Sequence, residues 1–150
     1  MTNLNFYMHG NRDEPNLALT FDDGPNPFYT PTLLNLLAEH NVKASFFLIG
    51  RWASKYPDIV RLIHEEGHLI GNHTDSHEVG DFMACDQILK KILNKDVIYV
   101  RPPFFNRGLC ELEKEWLSER KIILGDVDSK DYSGIAGDDI AKNILNALLL

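Results

Sequence analysis

Cysteine is scarce: Cys85 and Cys110 are the two in 150 residues, and they form no Cys-x-x-Cys pair. That excludes a disulfide scaffold and a thiolate zinc knuckle, and leaves two reduced thiols. No apolar run approaches the ~20 residues that cross a bilayer. Met1–Gly10 has no basic start followed by an apolar core, so no signal peptide is expected there. The chain then reads as a cytosolic protein or as a piece of a longer one. Positive charge is in deficit, with 15 Lys and Arg against 22 Asp and Glu and a formal charge of −7. Without a Lys/Arg block, neither nucleic acid nor an anionic membrane is an expected partner. Internal repeats and low-complexity linkers are missing too, which excludes a solenoid. What remains is ordinary for a globular protein: 44% hydrophobic and 25% charged residues. A chain of this size buries roughly 70% of its extended surface and needs no staple. Residues 1–150 are therefore read as a single domain.

Strands and helices alternate along it. Asn16–Asp22 reads as a strand that runs into the polar turn Asp22-Asp23-Gly24-Pro25. Thr30-Pro31 suits a helix start, with Leu33, Leu34, Leu36 and Leu37 as its apolar face and Asn41 as its stop. Ala44–Ile49 is a continuous apolar run, as expected of a strand buried on both faces. A helix is expected from about Pro57 to Glu66 with Gly67 ending it, then a strand at His68–Gly71 and a helix at Asp86–Leu93. Val97–Val100 and Ile122–Asp126 read as strands around a helix at Glu111–Arg120, and a last amphipathic helix begins at Gly137-Asp138. A sixth strand is placed at Leu148-Leu149-Leu150. Such alternation predicts a parallel sheet with helices outside it. The polar clusters all follow strands: Asp22-Asp23, His73–His77, Arg101–Phe104 and Asp128–Asp131. In parallel α/β folds strand C-terminal ends share one face, so these four clusters should converge.

Their residue types point to one chemistry. His73 and His77, with three residues between them on a helical turn, would put both imidazoles on one face. Two imidazoles and one carboxylate make an open zinc site with room for a water. Water on Zn²⁺ has its pKa lowered to about 7, and a second carboxylate can take its proton during attack on a carbonyl. One of Asp22 and Asp23 would bind and the other abstract. Arg101 offers a guanidinium that can hold a carboxylate. Pro102 and Pro103 stiffen its loop, leaving the Phe104 N–H to face a developing oxyanion. Asp128 and Asp131 read as supporting carboxylates or turn caps. Tyr132 and Phe105 read as sugar-stacking surfaces or packing. His9, His40, His64 and His68 read as surface or structural groups, and Trp52 and Trp116 as packing residues.

Thr20-Phe21-Asp22-Asp23-Gly24-Pro25, then Gly67-His68-Leu69-Ile70-Gly71-Asn72 leading into His73-Thr74-Asp75-Ser76-His77, then Arg101-Pro102-Pro103-Phe104, resemble the polysaccharide deacetylases. This is the NodB-homology group, or carbohydrate esterase family 4. Asp128-Ser129-Lys130-Asp131-Tyr132 resembles its fourth motif, and the resemblance covers about residues 16 to 145. It implies a distorted (β/α) barrel and metal-dependent removal of acetyl groups from N-acetylglucosamine-containing poly- or oligosaccharides of the chitin or peptidoglycan type. By position it implies Asp22 as the general base and Asp23, His73 and His77 as ligands of Zn²⁺, with Co²⁺ or Ni²⁺ as substitutes. It implies Arg101 as the residue that orients the base, Phe104 with Pro103 at the oxyanion, Tyr132 as an aromatic wall and Asp131 as a tuning carboxylate. Family members work mostly outside the cell or at the cell wall.

Three departures accompany it. Tyr132 stands where the family usually has Trp. The interval from His77 to Arg101 is short, as if a helix were trimmed. No histidine follows His77, whereas the family's fifth motif, Leu-x-His, supplies the general acid. The expectation is a barrel incomplete at its C-terminus, with an open sheet edge available for self-association. Loss of an acid removes roughly 10²–10⁴ in rate. Two alternatives therefore stand beside the deacetylase: an inactive or weakly active carbohydrate-binding remnant, and a related amidase for a small non-sugar amide.

Overall fold

Each strand stops where the polar motifs begin, and that punctuation shapes the sheet. The structure, a computed structural model, describes residues 3–148. Strands β1 (Phe6–Tyr7), β2 (Thr20–Gly24), β3 (Ser45–Leu48), β4 (Leu69–Asn72), β5 (Tyr99–Val100) and β6 (Lys121–Ile123) form one sheet in the order β1-β6-β5-β4-β3-β2. All pairings are parallel. Among the described residues β1 and β2 pair on one side only, so the sheet is open, as expected. The helices are α1 (Tyr29–Glu39), α2 (Gly50–Lys55), α3 (Pro57–Glu65), α4 (Phe82–Leu93), α5 (Lys114–Leu117) and α6 (Gly137–Leu148). No helix among the described residues is long and apolar enough to cross a membrane.

Two apolar clusters hold these layers. Leu34 and Leu37 of α1, Val60 and Ile63 of α3 and Leu89 of α4 pack with Phe46, Leu48 and Ile70 of the sheet. Phe82, Val100, Cys110, Leu117 and Ile122 form the second cluster, joined by Leu4 and Phe6. Burial of each such side chain contributes about 1.5–3 kcal/mol. Both clusters lie on faces of β3–β6, so they set the strand ends that carry the motifs.

Several sequence expectations shift. The expected strand at Asn16–Asp22 begins only at Thr20, and Leu17 is exposed. Thr30 does not cap α1: the Asn26 carboxamide accepts from the N–H groups of Phe28 and Tyr29, and Thr30 lies inside the helix. Leu36 faces solvent instead of the core. The sixth strand is β1, near the N-terminus: Ile122 N–H donates to Asn5 O and Leu124 N–H to Tyr7 O. Leu148 ends α6, and Leu149 and Leu150 lie outside the described residues. Helix α4 starts at Phe82 rather than Asp86. Glu111–Arg120 holds only the short α5, preceded by a 3₁₀ turn at Arg107–Glu111. His73–His77 is a bend, not a helical turn.

Candidate metal centre

Adjacent residues of a regular strand face opposite sides of a sheet, so Asp22 and Asp23 need a break in the alternation to share a site. The structure has one. The β2–β3 register shifts between Phe21 and Gly24, and Asp23 sits at φ 69°. An irregularity of this kind re-aims a side chain. As a result Asp23 Oδ1 lies 3.3 Å from His73 Nε2, and Asp22 Oδ2 lies 3.9 Å from the same nitrogen.

The two histidines come from the bend after β4. Its shape rests on polar side chains. Asn72, fully buried, accepts from Thr74 N–H and donates to Phe82 O. Thr74 Oγ1 accepts from His77 N–H, and Asp81 Oδ1 accepts from the N–H groups of Asp75 and Ser76. Thr74 and His77 adopt φ 67° and 66°. The left-handed region is a genuine outlier for a β-branched residue, and here it turns His77 back toward His73. The rings lie 5.0 Å apart, and His77 Nε2 is 3.1 Å from Asp23 Oδ1.

The donor set fits a divalent cation. His73 Nδ1 is 2.8 Å from the carbonyl of Arg101. A carbonyl only accepts, so Nδ1 carries a proton, and the neutral form of the ring then has its lone pair on Nε2. That lone pair faces the Asp23 carboxylate, itself an acceptor. One ligand atom from each of Asp23, His73 and His77 falls within 4.8 Å of the others, and nitrogen with carboxylate oxygen suits Zn²⁺. With the imidazoles protonated and no cation present, a hydrogen bond from His73, and then the charges of His73 and His77, hold the Asp23 carboxyl below its usual 3.8 against the opposing effect of burial; a bound cation would take the place of those protons. Burial chiefly lowers His77 below 6.5, favouring the neutral ring that a metal needs.

Arg101 comes from the end of β5 and is almost wholly buried. Nη1 donates to Asp22 Oδ1 at 2.7 Å and to Thr20 Oγ1 at 2.9 Å, while Nε and Nη2 donate to the carbonyls of Ile123 and Leu124, each at 3.2 Å. Its guanidinium lies over the Phe47 ring at 4.1 Å. A charge so taken from water needs this many partners. The arrangement fixes one oxygen of Asp22 and leaves the other toward His73.

Asp22, Asp23, His73, His77 and Arg101 thus come together from three strand ends. Pro103 is buried beside them, and the Phe104 ring packs on His77 at 4.8 Å with 80% of Phe104 exposed. Asp131 and Tyr132 stand apart. Asp131 accepts from Ser129 Oγ, Tyr132 donates to Asp128, and no ion pair or hydrogen bond links them to the five among the described residues. Thr20, Phe47, Asn72 and Asp81 went unnoticed as supports. Thr20 and Asn72 sat inside recognised motifs, whereas Asp81 acts through backbone N–H groups and leaves no spacing signal.

Residues 9–107 match the sequence model of one family, described as polysaccharide deacetylase. A peptidoglycan-N-acetylglucosamine deacetylase of Bacillus cereus is 41% identical over 148 residues, covering 91% of this chain and 53% of that protein. A chitooligosaccharide deacetylase of Rhizobium leguminosarum bv. trifolii is 51% identical over 74 residues, covering 49% of this chain and 34% of that protein. This chain therefore spans about half the length of the first, 53%, and less of the second. A crystal structure of a peptidoglycan N-acetylglucosamine deacetylase, in complex with 4-naphthalen-1-yl-N-oxidanyl-benzamide, superposes with a TM-score of 0.86 at 34% identity, over 96% of this chain and 72% of that one. A carbohydrate esterase family 4 pseudoenzyme of Bacillus anthracis, 22% identical with a TM-score of 0.84 over 97% of this chain and 55% of that one, shares the fold.

Proposed function

Because the chain belongs to the polysaccharide deacetylase family, we propose that residues 1–150 form one catalytic domain of a metal-dependent hydrolase that removes acetyl groups from N-acetylglucosamine-containing poly- or oligosaccharides. The observation that carries this reading is the trio of donor atoms from Asp23, His73 and His77 within 4.8 Å, with Asp22 anchored beside it.

Asp23, His73 and His77 would hold the cation, Zn²⁺ first and Co²⁺ or Ni²⁺ as substitutes. When bound, such an ion polarises an amide carbonyl and acidifies water. The remaining work falls to side chains. Asp22 is the general base: Oδ1 is occupied by Arg101, and Oδ2 is left to accept a proton from the attacking water. Arg101 orients that carboxylate through a fork that also grips two backbone carbonyls, so the base cannot swing away. His73 presents Nε2 inward because its Nδ1–H donates to Arg101 O. The loop of Pro103 and Phe104 borders the site, where the Phe104 N–H is assigned to the developing oxyanion. Tyr132 is assigned to an aromatic wall for a sugar and Asp131 to a tuning carboxylate by the family resemblance alone, since among the described residues their hydrogen bonds run to Asp128 and Ser129. Water adds to the acetyl carbon as Asp22 takes its proton, the C–N bond breaks as the amine nitrogen takes up a proton from solvent, and acetate and a free amine leave.

Asp22→Asn tests the assignment. The variant should retain its divalent ion by elemental analysis and release no acetate from N-acetylated chitooligosaccharides. Turnover at the parent rate would remove Asp22 from the role of base.

A further inference from the structure

Phe105 is open to a stacking or a packing role from its sequence, and its backbone in the structure is costly. Phe104 and Phe105 follow one another in the left-handed region, at φ 56° and 52°, where a bulky residue is a genuine outlier. The loop is pinned on both sides of them. Phe105 N–H donates to Pro102 O at 3.1 Å, Asn106 N–H donates to Pro103 O at 2.9 Å, and Asn106 Oδ1 accepts from Gly108 N–H at 3.0 Å. Backbone of this kind persists only where its surroundings impose it, and it gathers at functional sites.

The turn brings the second ring back over the residue that opens the loop. The Phe105 ring centre lies 5.5 Å from Arg101 Cζ, within the range of a cation–π contact. The far edge of the ring reaches Gly125, where a Cβ would stand 3.4 Å from Phe105 Cζ. Gly125 directly follows Leu124, whose carbonyl accepts from Arg101 Nη2. The ring thus runs from the guanidinium to the backbone that the guanidinium grips. Phe47, the other ring over Arg101, is buried in the sheet, whereas Phe105 is 44% exposed. Phe105 is therefore the ring that stands between the guanidinium and water. Arg101 Nη1 holds Asp22 Oδ1. Charged hydrogen bonds are stronger where water is excluded, and water admitted beside Nη1 would compete for its protons and let the Asp22 carboxylate turn.

We propose that Phe105 is a positioning residue: its ring keeps water from the Arg101 guanidinium and thereby holds Asp22 in the orientation of a base. The left-handed backbone is what placing the ring there requires. The inference rests on the deacetylase reading for its activity readout alone.

Two variants separate cover from packing. Phe105→Gly removes the ring and suits the left-handed backbone, and Phe105→Leu keeps an apolar cover. Three quantities are read on the full chain with Zn²⁺ present: hydrogen exchange of the Arg101 Nε–H by NMR, the urea midpoint, and kcat and KM for acetate release from N-acetylated chitooligosaccharides. Phe105→Gly should speed the exchange about tenfold and lower kcat about tenfold with KM within about twofold, since a small misplacement of a reacting group costs up to about 10²-fold. Its urea midpoint should stay near the parent value, because glycine relieves the backbone as the ring is lost. Phe105→Leu should bring exchange and kcat back to within about threefold of the parent. A ring that only packs would lose midpoint and activity together, and a ring that touches the sugar would raise KM at constant kcat. Either result, unchanged Arg101 exchange in Phe105→Gly, or no recovery in Phe105→Leu overturns the proposal. Faster exchange in Phe105→Gly, recovered in Phe105→Leu, in a chain whose parent releases no acetate would uphold the cover over Arg101 and reject the deacetylase reading.

Discussion

Replacing Arg101 by methionine isolates the contribution of the group on which the site is hung. The side chain is 4% exposed, and its Asp22 partner is 29% exposed. Removing one member of a buried pair costs roughly 3–5 kcal/mol, because the other charge and its neighbours are left unpaired. Here the partly exposed Asp22 can turn to water, which lowers its share. The carbonyls of Ile123 and Leu124 and the hydroxyl of Thr20 also lose their donor, at about 1–3 kcal/mol per buried group without full additivity. The lower end, about 3 kcal/mol, is the expectation, against a total of about 8–15 kcal/mol for a domain of this size. The midpoint temperature should fall by roughly 6–12 °C.

Urea denaturation of the metal-free protein measures this directly, and an unchanged slope would show that only stability has moved. Arg101→Lys keeps one charge contact with Asp22 but loses the planar fork, so about half the loss is expected. Acetate release should disappear in both variants, since Asp22 loses its fixed orientation. A cycle with Asp22→Asn should return a coupling of roughly 1–3 kcal/mol. An Arg101→Met protein within about 1 kcal/mol of the parent, or additive single and double variants, would refute the reasoning.

Zn²⁺ at about 100 times its Kd should add roughly 2.7 kcal/mol to unfolding, and His73→Ala and His77→Ala should each lose that increment together with the bound ion in elemental analysis. An increment unaffected by either substitution would reject the centre. Away from the site, His68 is buried, its Nδ1 accepts the N–H of Ala44, and its ring meets the edge of Phe46. Burial first and the charge of Lys43 second hold it below its usual 6.5, against the pull of Glu66. The unfolded chain takes the proton first, so stability is full above pH 6.5 and falls as pH drops through the lower folded value; His68→Gln should flatten the urea midpoint between about pH 7.5 and 5.5, and an unaltered slope would contradict this. Finally, a Cβ at Gly71 would collide with the Phe47 ring beneath Arg101. Gly71→Ala should cost about 1–3 kcal/mol by urea denaturation and reduce acetate release with it; parent-like stability would show that the ring yields freely.

The readable part of the sequence was its punctuation. Apolar runs ending in Asp22-Asp23, His73 and Arg101 marked strand ends, and a parallel sheet gathers such ends on one face. Elements whose pairing or boundary depends on distant partners were not readable. Strand β1 is two residues long and exists because β6 offers a free edge. Helix α2 begins after Ile49 with no capping side chain, so no start signal marks it, and Trp52, 36% exposed, then passed for core. The short α5 shows the reverse error: Glu111–Arg120 has helical periodicity, but Glu113 turns away to accept the Met83 N–H and cap α4.

The histidine bend shows why spacing alone misled. A helical turn would have placed His73 and His77 on one face without strain, whereas the observed bend reaches the same outcome through Thr74 and His77 in the left-handed region. Asp23 and Phe104 share that conformation, at φ 69° and 56°. Each such residue costs of order 1–3 kcal/mol and persists only where its surroundings hold it. Those surroundings are identifiable: Asn72 and Asp81 fix the bend, the β2–β3 register shift sets Asp23, and Pro103 precedes Phe104. Strain gathers around Asp23 Oδ1 and the Nε2 atoms of His73 and His77, which lie within 3.3 Å of it. The apolar clusters under β3–β6 supply the stability that tolerates it. A local energy penalty at Asp23, Thr74 and His77 is thus what the proposed metal centre accounts for and what folding alone does not.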